Sequence, residues 1–195
     1  MATNHVVFIT RNRLIKDTPL SDTIDADIIM PVILLAQDKY IYPKLGDDLY
    51  NKLKNDITSG SLANDYLTLV ENYIQKSLVQ FAFAELLPVL RLKFSGHSVT
   101  QMNNEQGNGA TYEELKPIME NAINMGEFYM KRMIDYISNK TDSFPEYSSN
   151  TGGELSPSKT SYYSNMNVDF NPDFKSNKLK AWAQGTGLSK YIDIC

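Results

Sequence analysis

"NDYLTLVENYIQKSLVQFAFAELLPVLRLKF", Asn64–Phe94, decides the fold. Tyr66, Val70, Tyr73, Ser77 and Phe81, with Ile74 and Leu78 beside them, recur every three or four residues, the period of a helix that buries one face. After Gln80 the apolar residues run nearly all round the helix, which marks the centre of a core. Pro88 predicts a kink or an end, because its ring clashes with the carbonyl four residues back and it has no N–H to give.

The flanking segments carry the same period. On the N-terminal side Asp25 and Asp27 can cap a first turn, and Pro31 suits a helix's opening, where a missing N–H costs little. Ile29, Ile33 and Ala36 then share a face, with Val32 and Leu35 beside it. This helix is expected to stop before Pro43. A second is expected to start at Gly46 or Asp47, with Asp47 and Asp48 at its positive end and Lys52 and Lys54 nearer its negative end. Leu49, Leu53 and Ile57 form its buried stripe, and Ser59-Gly60 ends it. On the C-terminal side His97–Met102 reads as a short strand. Thr111-x-x-Glu114 is a capping box, but Pro117 sits late for it and suggests a start a few residues on. In the helix that follows, Ile118, Ala122, Met125, Tyr129, Met133 and Tyr136 form one stripe, adjoined by Met119, Ile123, Met130, Ile134 and Ile137. So wide an apolar face predicts a helix packed between neighbours.

The expected fold is therefore mainly α: a small bundle of about four helices with short extended segments and a long C-terminal arm. Residues 1–24 read as an extended lead-in with "HVVFIT" as a short strand, 25–140 as the helical domain, and 141–195 as an arm rich in Ser, Asn, Gly, Pro and Tyr. The 195 residues suffice for one buried core. A formal charge of −4 argues against a chain-wide attraction to nucleic acid or an anionic membrane. Such a surface would instead repel DNA and suit a wall that DNA slides past. Arg11, Arg13 and Lys16 read as a solvated basic cluster. Cys195 is the only cysteine, so no internal disulfide can form. No apolar run approaches the roughly 18–20 residues of a membrane span. The N-terminus places its basic residues after its apolar stretch, the reverse of a signal peptide, so the expected site of synthesis and use is a cytoplasm.

The residue types for common chemistries are sparse. His5, His97 and Cys195 cannot make a zinc site without heavy carboxylate use. "QGNGA" lacks the Lys-Ser/Thr of a phosphate loop and reads as a turn. No Glu-x-x-His pair supports a diiron centre. Glu85 stands alone among apolar neighbours, and such a carboxylate is expected to meet a cationic or backbone partner rather than to serve as a raised-pKa acid. The sequence predicts no catalytic residue, no metal and no cofactor.

"IDADIIMPVILLAQDKYIYPKLGDDLYNKL", Ile24–Leu53, resembles the N-terminal helices of head–tail connector proteins of tailed bacteriophages, of the crAss-like type and related phages of gut Bacteroidetes. The likeness lies in the Asp-rich approach of Asp25 and Asp27, the Pro-led helix from Pro31 to Ala36-Gln37, the bend at Pro43, and Leu45-Gly46 opening the next helix. "ENYIQKSLVQFAFAELLPVL" is similar to that family's central helix, and "GEFYMKRMIDYISNKTDSFPEY" to its last helix and closing Phe-Pro-x-Tyr. The resemblance runs over about residues 8–147. It implies a portal adaptor of the virion neck, made in the host cytoplasm, that forms a ring of its own copies, commonly dodecameric. Such a ring joins the portal to tail or other neck proteins and lines the channel for genome packaging and ejection, without sequence-specific DNA contact, membrane or catalysis. A stopper or tail-facing ring, and a non-viral cytoplasmic helical module that binds proteins, remain as alternatives.

The arm carries aromatic residues in a polar background, among them Tyr147, Tyr162, Tyr163, Phe170, Phe174, Trp182 and Tyr191. Rings in such a segment are expected to anchor it. The expectation is that they grip a neighbouring subunit, the portal or a tail protein; the rival is that the arm folds back on its own domain.

Overall fold

The computed structural model describes residues 5–94, 99–101, 110–149 and 155–160. Mainly helical, as the periodicity predicts, it is ordered around the Asn64–Arg91 stretch. Helix α1, Arg11–Lys16, lies inside the segment expected to be extended, opened by the Thr10 hydroxyl accepting from the Arg13 N–H at 3.2 Å. The expected "HVVFIT" strand is absent among the described residues: Phe8 and Ile9 form bends and bury their side chains in the core.

Helix α2, Ala26–Ala36, is capped by Asp25, which accepts from the Asp27 N–H at 3.1 Å. It buries Ile29, Val32, Ile33 and Ala36, whereas Leu35, expected beside that face, stays 53% exposed. Pro31 falls in the second turn, on the outer side. The helix does not stop before Pro43. A π turn, Gln37–Ile41, carries it into α3, Tyr42–Ser59, with the Tyr42 N–H reaching back to the Gln37 carbonyl. The wider turn gives the Pro43 ring room just past the point where a regular helix would clash with it. The real break comes at Gly46, whose φ of 74° and ψ of 170° are non-helical and open to glycine. Gly60, in the left-handed region at φ 68°, ends α3 as expected.

Helix α4, Asn64–Leu69, passes through a second π turn, Val70–Ile74, into α5, Gln75–Arg91. Phe81, Ala82, Phe83, Ala84 and Leu86 are all buried, so the all-round apolar stretch is the core centre. Pro88 neither ends nor interrupts α5, which runs on to Arg91. Strands β1, Leu92–Phe94, and β2, Val99–Gln101, then pair antiparallel, Lys93 opposite Thr100. Helix α6, Tyr112–Asn139, starts where the capping box says, not later: the Glu114 N–H donates to Thr111 Oγ1 at 3.3 Å and the Thr111 N–H to Glu114 Oε2 at 2.8 Å. Pro117 is accommodated on the exposed side of the helix. A 3-10 turn, Thr141–Ser143, and the short α7, Glu146–Ser149, follow.

Helices α2 and α6 each pack on α5. The buried line of α6 is Ala122, Gly126, Met130, Met133, Ile134 and Ile137, rotated from the stripe expected. Gly126 lets α6 lie close against Phe81, and its carbonyl accepts from the buried Ser77 hydroxyl at 3.0 Å. Ile118 and Met125, assigned to the buried stripe by period alone, are 46% and 38% exposed. Thus α6 packs on α5, the second π turn and α4, and leaves apolar residues exposed on another side.

Candidate functional site

The residues that carry the resemblance, Pro31, Ala36, Gln37, Pro43, Leu45 and Gly46, all lie on α2, the π turn and the start of α3. Ala36 and Leu45 are core residues, both fully buried. Gln37, only 1% exposed, is a polar hub. Its Oε1 accepts from the Phe8 N–H at 2.8 Å, and its Nε2 donates to the Val6 carbonyl at 3.0 Å and to the Tyr50 hydroxyl at 2.8 Å. Gln75 Nε2 donates to the Phe8 carbonyl at 3.0 Å, so two glutamine side chains hold both backbone groups of Phe8. A lead-in with no strand partner thus has its buried amide and carbonyls satisfied by side chains. Tyr50 in turn donates to Asp38 at 3.0 Å, and burial pushes its phenol pKa up.

At the glycine break, α3 receives the chain's own C-terminal segment. The Asp47 N–H donates to the Leu155 carbonyl and the Leu155 N–H to Asp47 Oδ2, both at 3.0 Å. The Ser158 N–H donates to the Pro43 carbonyl at 2.8 Å. The Tyr42 hydroxyl also donates to Asp47. Pro157 lies where a side chain on Gly46 would be: a Cβ there would stand 2.7 Å from its Cγ and Cδ. Lys44, which burial holds below its usual pKa, donates to Ser158 and Thr160 hydroxyls at 3.4 Å each. Gly46 therefore has two reasons to be glycine: its backbone angle and the close approach of Pro157.

Glu85 meets Lys39 and Tyr40, each donating to its Oε1 at 2.7 Å. This is the partnered carboxylate expected from the sequence. Burial acts against the Lys39 ammonium, but its hydrogen bonds to Glu85 and Tyr40 outweigh that and hold its pKa above the usual lysine range. Burial, and then the bond to Glu85, push the Tyr40 phenol up to about 12. The Tyr40 ring stacks on Phe81 with centroids 4.1 Å apart, which ties the cluster to the core centre. The cluster joins the π turn to α5. Among the described residues, no group of three or more His, Cys, Asp or Glu is placed to hold a metal ion. No helix of the described residues is long and apolar enough to cross a membrane.

Of the expected arm anchors, Tyr147 is 5% exposed and belongs to the chain's own core, near the start of the segment assigned to the arm. The expectation that it grips a partner is corrected: Phe144 beside it is fully buried and packs edge-on to Tyr66, centroids 5.2 Å apart, so the turn after α6 closes the core. Tyr162, Tyr163, Phe170, Phe174, Trp182 and Tyr191 lie outside the described residues. Arg11 is structural, its guanidinium donating to the carbonyls of Asp22 and Ile24, and Arg13 pairs with Asp17. Sequence reasoning missed two exposed apolar lines. Ile28, Pro31 and Leu35 line the outer side of α2, and Ile118, Met125 and Phe128 an outer side of α6. The three- and four-residue spacing was visible, but spacing alone does not say which of two apolar lines faces the core.

The chain belongs to the Family of unknown function (DUF6712), which matches residues 41–156. The match takes in Pro43, Gly46 and Asp47 at the corner and reaches Leu155, where the C-terminal segment docks on it. No curated protein and no solved structure matches the chain.

Proposed function

We propose that this chain is a non-catalytic structural subunit of the neck of a tailed bacteriophage, an adaptor that forms a ring beneath the portal and links capsid to tail around the DNA. Support for the phage assignment comes from the resemblance over Ile24–Leu53 and the two later helices. One structural observation supports the reading of a building block: the corner where the resemblance is densest works as a joint. The Pro43 carbonyl, the Asp47 amide and the Asp47 carboxylate all bond residues 155–158 of the same chain, while Gln37 holds the lead-in. These backbone and side-chain groups tie distant segments of the chain together, which gives rigidity to a building block. The apolar lines on α2 and α6 suit a protein that is covered by neighbours when assembled. A net charge of −4 suits a ring through which DNA passes without being held.

The test is to purify particles of a phage that encodes the chain, identify it by mass spectrometry and image the neck by electron microscopy. The expected result is a ring of this chain between portal and tail. Its absence from purified particles would overturn the proposal.

A further inference from the structure

A cavity of about 370 Å³ opens where α1, α5 and α6 meet, lined by Arg13, Asp17, Lys76, Val79, Gln80 and Tyr129. That is the size of a small-molecule site. Its walls are held by the core. Helix α1 packs on α5 and on α2, with Leu14 fully buried and the Arg11 guanidinium tied to the carbonyls of Asp22 and Ile24. The Thr10 hydroxyl accepts from the Arg13 N–H at 3.2 Å, so Arg13 leaves a fixed backbone. Lys76 and Gln80 are four residues apart and share one face of α5, beside the buried Val79.

The lining carries two cations and one acid, Asp17. That carboxylate accepts from Arg13 Nε alone, which leaves both Nη groups of the guanidinium for another acceptor. Among the described residues, the Lys76 ammonium, the Gln80 amide and the Tyr129 hydroxyl have no hydrogen-bond or ion-pair partner. A solvated surface lysine needs no explanation, but here donor-bearing side chains from three helices border one hollow. The sequence also keeps acids away from it. Residues 1–16, 72–84 and 128–134 contain no Asp or Glu, in a chain of net charge −4. Besides Asp17, the acids that bound these stretches are Glu71, Glu85, Glu127 and Asp135, and none of the four lines the cavity. Glu85 is taken by Lys39 and Tyr40, and Glu127 acts on Lys44.

We infer that this cavity binds a phosphate group. A ligand suited to it must bring negative charge and several acceptors, because the lining supplies donors in excess. A carboxylate offers two oxygens in one plane, whereas the oxygens of a phosphate point to the corners of a tetrahedron and can meet donors arriving from three helices at once. The free Nη groups of Arg13 take two of them side by side, with Asp17 steadying the guanidinium from its other edge. Lys76 supplies a second cation, and Gln80 and Tyr129 supply neutral donors. The phosphate can belong to a small phosphorylated molecule or to a nucleic-acid backbone; the chemistry of the grip is the same. The inference goes beyond the ring reading and stands or falls without it.

The experiment titrates the full chain with inorganic phosphate by calorimetry, at low ionic strength and without other oxyanions, and with a short DNA duplex in parallel. The variants are Lys76→Gln and Arg13→Gln. Lys116→Gln is the control for charge in general, since Lys116 lies on α6 outside the cavity, 3.9 Å from Glu120. Circular dichroism without ligand checks the fold of each. If Arg13→Gln loses structure with its pair to Asp17, Arg13→Lys replaces it, keeping the charge and removing the fork. Phosphate should bind the wild type with a Kd of about 1 mM or tighter. Affinity should fall about tenfold in each cavity variant and stay within about twofold in the control. Phosphate bound and the duplex not bound makes the ligand a small phosphorylated molecule. A duplex that binds where free phosphate does not, and is lost in the same two variants, keeps the site and makes the backbone its source. Failure of both probes to bind, wild-type affinity in either cavity variant, or an equal loss in Lys116→Gln would each overturn the inference.

Discussion

Replacing Gly126 by alanine sets two effects of known sign against each other. In a helix interior alanine is favoured over glycine by about 1 kcal/mol, so on propensity alone Gly126→Ala should stabilise α6. The added methyl would, however, stand 2.7 Å from Phe81 Cε1 and 2.9 Å from Cδ1 and Cζ, where carbon atoms ordinarily rest about 3.5–4.0 Å apart. The ring must move by most of an ångström. It has little freedom to do so: Phe81 is 1% exposed, and the Tyr40 ring lies on its face at 4.1 Å and 3°, itself tied through its hydroxyl to Glu85 at 2.7 Å. Overpacking of this kind costs about 1–3 kcal/mol, and the blocked retreat places it in the upper half of that range. Net destabilisation of roughly 1–2 kcal/mol follows, to be read as a lower urea midpoint at unchanged slope. In a Phe81→Leu background the same substitution should become neutral or stabilising, a coupling of roughly 2 kcal/mol. Equal or greater stability of Gly126→Ala in the wild-type background would refute the packing argument.

Three further outcomes are expected. Gly46→Ala forces a residue with a Cβ into φ 74° against Pro157, so it should release residues 155–158 from α3. Amide exchange at Leu155 and Ser158 would then quicken, and unchanged protection would contradict the account of the joint. Glu85→Gln should cost roughly 1 kcal/mol at neutral pH through loss of its charge-assisted bonds, and it should also flatten the alkaline end of the stability profile. Lys39 and Tyr40 hold their protons more tightly folded than unfolded. Their contribution is therefore full below about pH 10, where the unfolded chain starts to release them. It is lost as pH rises through the folded Tyr40 value of about 12 and beyond. Unfolding followed from pH 8 to 12 should show a steeper decline for the wild type than for the variant, and parallel profiles would sink this reading. Tyr147→Phe should raise the melting temperature, by the equivalent of up to about 1 kcal/mol, because the Tyr147 hydroxyl is buried with no hydrogen-bond partner among the described residues; a clear loss of stability would show that the hydroxyl is satisfied.

The sequence by itself determined the fold class and most helix boundaries that depend on local chemistry. The Asp25 cap, the Thr111–Glu114 capping box and the Gly60 stop act through neighbours a few residues away, and each stands where its residues say. The burial of Phe81, Ala82, Phe83, Ala84 and Leu86 was legible as well, since a helix apolar all round must be buried and this run is too short to span a membrane. Proline was misjudged in α2–α3, in α5 and at the start of α6. Its local penalty at Pro43 is met by a π turn and at Pro88 is outweighed by a helix already held in the core, both of them properties of the whole chain.

Only the tertiary structure decided which apolar line of α6 turns inward, because that choice rests on Gly126 meeting Phe81 across more than forty residues of sequence. Partners of Gln37, Glu85 and Asp47 were beyond local reading for the same reason: they come from Phe8, from Lys39 and Tyr40, and from Leu155. A helix period tells a residue that it has a face. Which neighbour fills that face is settled by contacts between distant segments, whose combined burial outweighs any local preference.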